Sequence, residues 1–183
     1  MGRQDVLRLL SRWRIDVATV VVVPALLIAR PTQAVILDYL PILFLGIALR
    51  TWARGHLDRG QLTTSGPYRY VRHPLYIGSF IMGLALALMM RRPVLVVLYL
   101  LFFVVMYWPK AVREEKHLHE RGGAEWDRYA ARVGAVVPRL HRARTAAGDI
   151  ERHFAWRRVV RHREWKTWLG AVTVVACLWL RAR

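Results

Sequence analysis

Five stretches of the chain are apolar almost without interruption, at 15–29, 34–49, 75–90, 93–108 and 167–180. Helices that are apolar on every side, rather than along one stripe, belong inside a membrane or deep in a large protein. A chain of 183 residues has too little interior to enclose five of them. None of the runs reaches the roughly 20 residues that span a bilayer comfortably. Each gains length from a flanking turn, with arginine side chains snorkelling to the interface. The expected fold is therefore all-α: a polytopic membrane protein with about five hydrophobic helices and amphipathic helices on its cytoplasmic side. We expect one domain over residues 1–183.

The polar punctuation refines this outline. Residues 1–14 predict a short basic amphipathic helix on the membrane surface. Gly55, Gly60 and Gly66 break the chain after the second run into short turns. The third and fourth runs are joined only by Arg91–Pro93, and so short a link predicts an antiparallel helical hairpin. Ser79, Gly83 and Ala87 recur every four residues on the third run, a spacing that suits close helix approach. The fourth helix is expected to continue beyond the membrane until Gly122 and Gly123 end it. Trp126, Tyr129, Val133 and Val137 then share one helical face, predicting a surface-bound amphipathic helix that ends at Pro138.

Charge sets the orientation. The formal net charge is +17, and 24 of the 29 Lys and Arg residues fall before residue 15, at 50–72 or at 110–166. The positive-inside rule puts these segments in the cytoplasm. The last run is the shortest, and we expect it to lie half-buried and leave the C-terminus inside. A basic cytoplasmic face also attracts anionic lipid headgroups, so nucleic acid is not needed to account for the charge. The single cysteine, Cys177, excludes a disulfide framework within the chain. The first apolar run lacks a clean cleavage site, so no signal peptide is expected.

The chemistry concentrates in "GPYRYVRHPLYIG" at 66–78, which holds three tyrosines, two arginines, a histidine and two prolines at the entrance of an apolar run. A second polar cluster, Glu114 and Glu115, lies past the far end of the hairpin. From Trp108 to Glu114 is six residues, which places the acidic pair about 9 Å beyond the membrane face. Because the hairpin is antiparallel, both clusters fall on the same side. Arg72, His73 and the tyrosines then face two carboxylates where water meets lipid. Such a site suits a polar, charged cofactor from the water side and a lipophilic substrate from the membrane side. S-adenosylmethionine combines the required features: a sulfonium that tyrosine faces attract, an amino-acid zwitterion and ribose hydroxyls. Taken singly, each tyrosine or arginine reads more simply as an interfacial anchor. Adjacent helical residues point about 100° apart, so Glu114 and Glu115 are not expected to grip one group equally.

"RHPLYIG" at 72–78, the hairpin, "EE" at 114–115 and "EWDRYAARVGAVVPRL" at 125–140 together resemble the isoprenylcysteine carboxyl methyltransferase and phospholipid methyltransferase superfamily. The resemblance covers a catalytic core of about residues 50–140. It leaves a basic extension and the last apolar run, 141–183, without a counterpart. It implies an integral membrane enzyme that uses S-adenosylmethionine, in a cell inner membrane with its site facing the cytoplasm. Carried over, it implies cofactor contacts at His73, Pro74, Tyr76, Gly78, Glu114 and Glu115, and catalytic roles for Arg72, His73 and Tyr76. Arg72 would neutralise a carboxylate of cofactor or substrate. The expected partner is a lipophilic small molecule or lipid carrying a carboxylate, amine, phenol or thiol.

Two rival readings stand beside this one. A nicotinamide-dependent membrane reductase of the sterol type resembles the C-terminal helices and shares a histidine-proline-x-tyrosine-like element. A non-enzymatic lipid-binding scaffold explains the charge but not the convergence of the clusters. His117 and His119 with Glu115 resemble a metal cluster on paper, but no third ligand follows, and we expect no metal. His56, His141, His153 and His162 read as solvated or interfacial, and Asp16 and Asp38 as structural.

Overall fold

The structure is a computed structural model that describes residues 22–58, 62–138 and 153–182. The expected surface helix at 1–14, Asp16, His141 and the first part of the 15–29 run lie outside the described residues. Residues 22–28 are helical. They are followed by α1 (Gln33–His56), a 3-10 turn (Gly66–Arg69), α2 (Pro74–Met89), α3 (Pro93–Arg132), α4 (Trp156–Arg161) and α5 (Trp165–Arg181). The described chain is all-α, with a single isolated bridge between Val71 and Gly134.

Two of these helices, α1 and α3, are long and apolar enough to cross a membrane, and α2 is a shorter apolar helix. Among the described residues two helices meet this test, so five spans are not shown. Little of either long helix is buried against protein. Leu37, Phe44 and Leu45 on α1, and Val97, Leu98, Leu101, Val104 and Val105 on α3, all point outward. An apolar surface of this extent is stable against lipid, not water.

The helices run back and forth between two ends of one bundle. At one end Arg30 N donates to Met90 O (3.0 Å) and Arg92 Nε donates to Ile28 O (2.9 Å), which ties the three-residue link of the α2–α3 hairpin to the first helical stretch. Arg181 Nη2 donates to Leu27 O (3.0 Å) at this same end. At the opposite end α5 begins beside Arg50, where Glu164 pairs with that arginine. The last apolar segment therefore runs the depth of the bundle. This corrects the expectation of a half-buried helix returning to the site's side: its Arg181 carbonyl-bound end lies away from the site.

The tightest seam joins α1 and α2. A Cβ on Gly46 would stand 2.7 Å from Met82 N and 2.9 Å from Gly78 O; one on Gly78 would stand 2.9 Å from Gly46 O. The two glycines let the backbones touch. Of the small residues expected to do this, Gly83 instead seats the Tyr99 ring, and Ser79 accepts a hydrogen bond from Arg50.

Gly123 ends the long straight part of α3 with φ 48° and ψ −128°, and the helix resumes in a new direction. The following segment departs from expectation in two ways. It ends at Arg132, not Pro138, because Val133 turns extended and Gly134 and Ala135 accept bonds from Arg72 N (2.9 Å) and His73 N (3.2 Å). Nor does its apolar face lie on lipid: Trp126, Tyr129 and Val133 are buried against Leu62, Leu118 and Ala130, while Val137 is exposed.

Gly46→Val forces backbone apart from backbone and is expected to cost about 1–3 kcal/mol. Gly170→Ala on α5 meets open space and is expected to be neutral or slightly stabilising. Thermal unfolding in detergent compares the two; equal melting temperatures would remove the seam from its central place.

Candidate functional site

Pro74 occupies the first turn of α2 and is fully buried. A proline disfavours helical geometry in the residue before it, and His73 accordingly caps α2 with φ −119° and ψ 55°. Its backbone carbonyl accepts the first helical bonds, from Tyr76 N and Ile77 N. Its side chain makes no capping bond and reaches across to α3. There His73 Nε2 donates to Glu115 Oε1 at 3.0 Å. Arg72 Nη1 lies 2.9 Å from the same oxygen, and its guanidinium sits 5.8 Å from the centre of the Trp126 ring.

One turn into α2, Tyr76 shares the face of His73, and the two rings stack at 5.2 Å. The Tyr76 hydroxyl donates to Glu114 Oε2. The two glutamates thus part company as adjacent helical residues must: Glu115 meets Arg72 and His73, Glu114 meets Tyr76. Two turns before Glu114 on the same face of α3, Tyr107 packs edge-on against Tyr76 at 5.3 Å. Lys110 Nζ stands 5.1 Å over the Tyr76 ring. Phe103 and Tyr99 continue the aromatic row toward the middle of the bundle, facing Phe80.

The floor of the site comes from the 3-10 turn. Tyr129 donates from its hydroxyl to Tyr68 O at 2.8 Å, fixing the turn against the end of α3. Tyr68 is buried, and its own hydroxyl makes no hydrogen bond among the described residues; Arg72 Nε is buried in the same condition. Burial pushes the Tyr68 phenol above the ordinary tyrosine range. Arg54 opposes that shift and Glu114 reinforces it. The phenol therefore stays protonated and able to donate.

Arg72, His73, Tyr76, Glu114 and Glu115 are brought together, as the hairpin argument requires. Pro74 adjoins them and sets the backbone of His73. Gly78 does not join them: it lies at the α1 seam, against Gly46 and the Arg50 side chain. His119 donates to Asp127 at 2.8 Å on the exposed side of the Gly123 kink, and among the described residues no three His, Cys, Asp or Glu side chains are placed to hold a metal. His56 departs from the solvated reading: it is buried, bonded to Trp52 O and packed against Phe154. The residues not anticipated are Tyr107, Trp126, Arg50, Arg54 and Glu164. Only Arg50 and Arg54 gave a readable signal, as two arginines one helical turn apart at the end of an apolar run.

The donor set suits an S-adenosyl cofactor. Glu114 and Glu115 offer acceptors for ammonium or ribose hydroxyls, aromatic faces line the approach, and buried donors on Tyr68 and Arg72 await acceptors. All of it lies at the end of lipid-exposed helices.

Comparison with known proteins agrees in kind. Residues 33–123 match the family model "Phospholipid methyltransferase". The chain is 37% identical over 101 residues to the nickel-cobalt-cadmium resistance protein NccN of Alcaligenes xylosoxydans xylosoxydans, covering 52% of this chain and 47% of NccN. It is 34% identical over 84 residues to the Delta(14)-sterol reductase LBR of Gallus gallus, covering 45% of this chain and 13% of LBR. It is 31% identical over 77 residues to the protein-S-isoprenylcysteine O-methyltransferase of Schizosaccharomyces pombe, covering 42% of this chain and 33% of that protein. The chain thus spans half or less of the length of these relatives. No solved structure matches it. The matched segment contains both halves of the site, Arg72–Tyr76 and Glu114–Glu115, and through it the chain belongs to the phospholipid methyltransferase superfamily, together with the isoprenylcysteine methyltransferases.

Proposed function

We propose that the protein transfers a methyl group from S-adenosylmethionine to a lipophilic acceptor at the cytoplasmic face of a membrane. The observation that carries this reading is the meeting of Arg72, His73 and Tyr76 with Glu114 and Glu115 at the end of lipid-exposed helices. The cofactor supplies an electrophilic methyl on a sulfonium, and the displacement removes charge from the donor. What the chain contributes is orientation and exclusion of water, for which effective molarity is worth roughly 7–11 kcal/mol when geometry is good.

The roles divide along the observed contacts. Glu115 is committed to Arg72 and His73, so its part is to hold that corner in place. Glu114, more exposed and bound among the described residues through Tyr76, is the carboxylate suited to a cofactor ammonium or ribose. His73 and Tyr76 form a stacked wall where the methyl would pass. A carboxylate acceptor needs no base; an amine, phenol or thiol must lose a proton, and we assign its uptake to the ring nitrogen of His73 that does not bond Glu115. The aromatic row from Tyr107 to Tyr99 suits an apolar tail entering from the lipid side.

The likeness to LBR supports a second reading, reduction with a nicotinamide cofactor. Thermal unfolding in detergent separates the two. S-adenosylhomocysteine at 100 times its dissociation constant is expected to stabilise the protein by about 2.7 kcal/mol, and NADPH not at all; the opposite outcome would hand the site to the reductase reading. Glu114→Gln is expected to weaken S-adenosylhomocysteine about tenfold with little change in melting temperature, measured by calorimetry. Wild-type affinity in that variant counts against the assignment. The acceptor is sought by incubating membrane extracts with methyl-labelled cofactor and comparing wild type with His73→Ala.

Orientation is tested in a Cys177→Ser background. A membrane-impermeant maleimide applied to intact cells should label Arg91→Cys and spare Arg121→Cys. The reverse pattern would place the site outside.

A further inference from the structure

The segment beyond the family match docks on the last turn of α1. Ala155 N and Arg158 Nη1 both donate to Gly55 O at 3.0 Å, and the Phe154 ring fills the space beside Gly55. From Gln33 to Gly55 is 22 residues, about 33 Å of helix, against about 30 Å of hydrocarbon core. A helix that crosses the core from Gln33 therefore delivers Gly55, and α4 with it, to the depth of the lipid headgroups. The start of α5 lies at the same level, where Trp168 Nε1 donates to Thr51 Oγ1 at 3.1 Å. This is the end of the bundle that holds the candidate site.

Inward and outward residues divide cleanly along this segment. α4 turns Val159 into the bundle, where it is buried, and commits Arg158 to the carbonyls of Gly55 and His153. Its other side carries Trp156, Arg157, Val160 and Arg161, all exposed. Trp156 and Val160 stand four apart, as do Arg157 and Arg161, so an apolar pair runs beside a basic pair on the helix surface. Phe154 supports Trp156 edge-on at 5.1 Å. Past α4, Arg163 is exposed with φ 53°, a left-handed backbone that glycine adopts at lower cost. Lys166 follows, its Nζ 5.6 Å from the centre of the exposed Trp165 ring. Glu164 is the single acid between residues 153 and 182, and it is buried against Arg50 and Arg54. Among the described residues no acid pairs with the side chains of Arg157, Arg161 or Arg163. Like charges four apart on a helix repel, and a phosphate set between them removes that repulsion.

We propose that the exposed side of α4 and the turn into α5 form a docking surface for the headgroups of anionic glycerophospholipids in the surrounding bilayer. Arg157, Arg161, Arg163 and Lys166 meet the phosphates, while Trp156, Val160 and Trp165 enter the boundary of the acyl chains. Charge complementarity names the occupant. Four exposed cations in a segment whose acid is turned inward select a negative headgroup. Apolar side chains set among them at headgroup depth select a lipid over a soluble anion. The surface lies outside the family match and does not depend on the methyl-transfer reading.

The test uses the full chain in an uncharged detergent and follows the binding of single lipids by native mass spectrometry. Wild type should bind dioleoylphosphatidylglycerol about tenfold more tightly than dioleoylphosphatidylcholine. Glycerol 3-phosphate, which carries the charge without acyl chains, should not compete at the lipid's own concentration. Combining Arg157→Gln with Arg161→Gln should weaken phosphatidylglycerol about fivefold for each charge removed. Phosphatidylcholine binding and the melting temperature without lipid should hold, since both side chains are exposed. Arg163→Gly should also weaken phosphatidylglycerol while melting no lower than wild type, and it decides alone if the double variant does not fold. Combining Arg121→Gln with Arg132→Gln removes equal charge from exposed positions on α3 and should leave binding as in wild type. The surface is overturned if wild type does not distinguish the two lipids, if the folded α4 variants bind phosphatidylglycerol like wild type, or if the α3 control loses as much as they do. Competition by glycerol 3-phosphate assigns the patch to a soluble anion, and tighter binding of polyglutamate than of phosphatidylglycerol assigns it to an acidic protein; either result overturns the lipid assignment.

Discussion

One oxygen of Glu115 holds the site together. It meets both Arg72 and His73, from a segment 42 positions earlier, at the end of a hairpin whose other surfaces face lipid. The pairing is not a surface salt bridge, since His73 is buried and Arg72 largely so. Removing one member of such a cluster leaves the others desolvated and unmatched, at a cost of about 3–5 kcal/mol for a fully buried pair. The partial exposure of Glu115 lowers that figure. It also leaves the carboxylate open to exchange partners with an incoming ligand, which a sealed ion pair would resist.

The corner works because its backbone is constrained before any side chain acts. Pro74 sets the geometry of His73, and Gly134 and Ala135 hold the backbone of Arg72 and His73 from the other side. The kink at Gly123 is what returns the chain far enough to make those bonds. A glycine there reads in sequence as a helix end. That the next helix folds back and packs on Tyr68, with Trp126 beneath Arg72, depends on long-range packing that periodicity does not encode.

The same distinction explains what was legible. The hairpin was readable because three residues between two apolar runs admit few geometries, and the antiparallel direction alone brought 72–76 to 114–115. Trp126, Tyr129 and Val133 were readable as one face, but a face facing protein and a face facing lipid have the same pattern. Gly78 sat inside the recognised motif, yet its neighbours are Gly46 and Arg50, because helical spacing turns it away from Tyr76. The path of the last apolar run was not readable from its length. Its direction is set by Glu164, a single acid among arginines, which has meaning only once Arg50 and Arg54 are seen to need a buried counter-charge.

That need bears on how a basic chain builds a site for a cationic cofactor. The same arginines that orient the chain in the membrane would repel a sulfonium if their charge reached it unopposed. Two of these arginines are instead matched where they stand: Arg72 by Glu115, Arg50 by Glu164. Glu114 is left to face the pocket through a neutral phenol. Arg54 shares the Glu164 carboxylate with Arg50. The two carboxylate roles are therefore not equivalent. Glu115 and Glu164 fix cations in place, while Glu114 keeps an exposed carboxylate at the end of the hairpin.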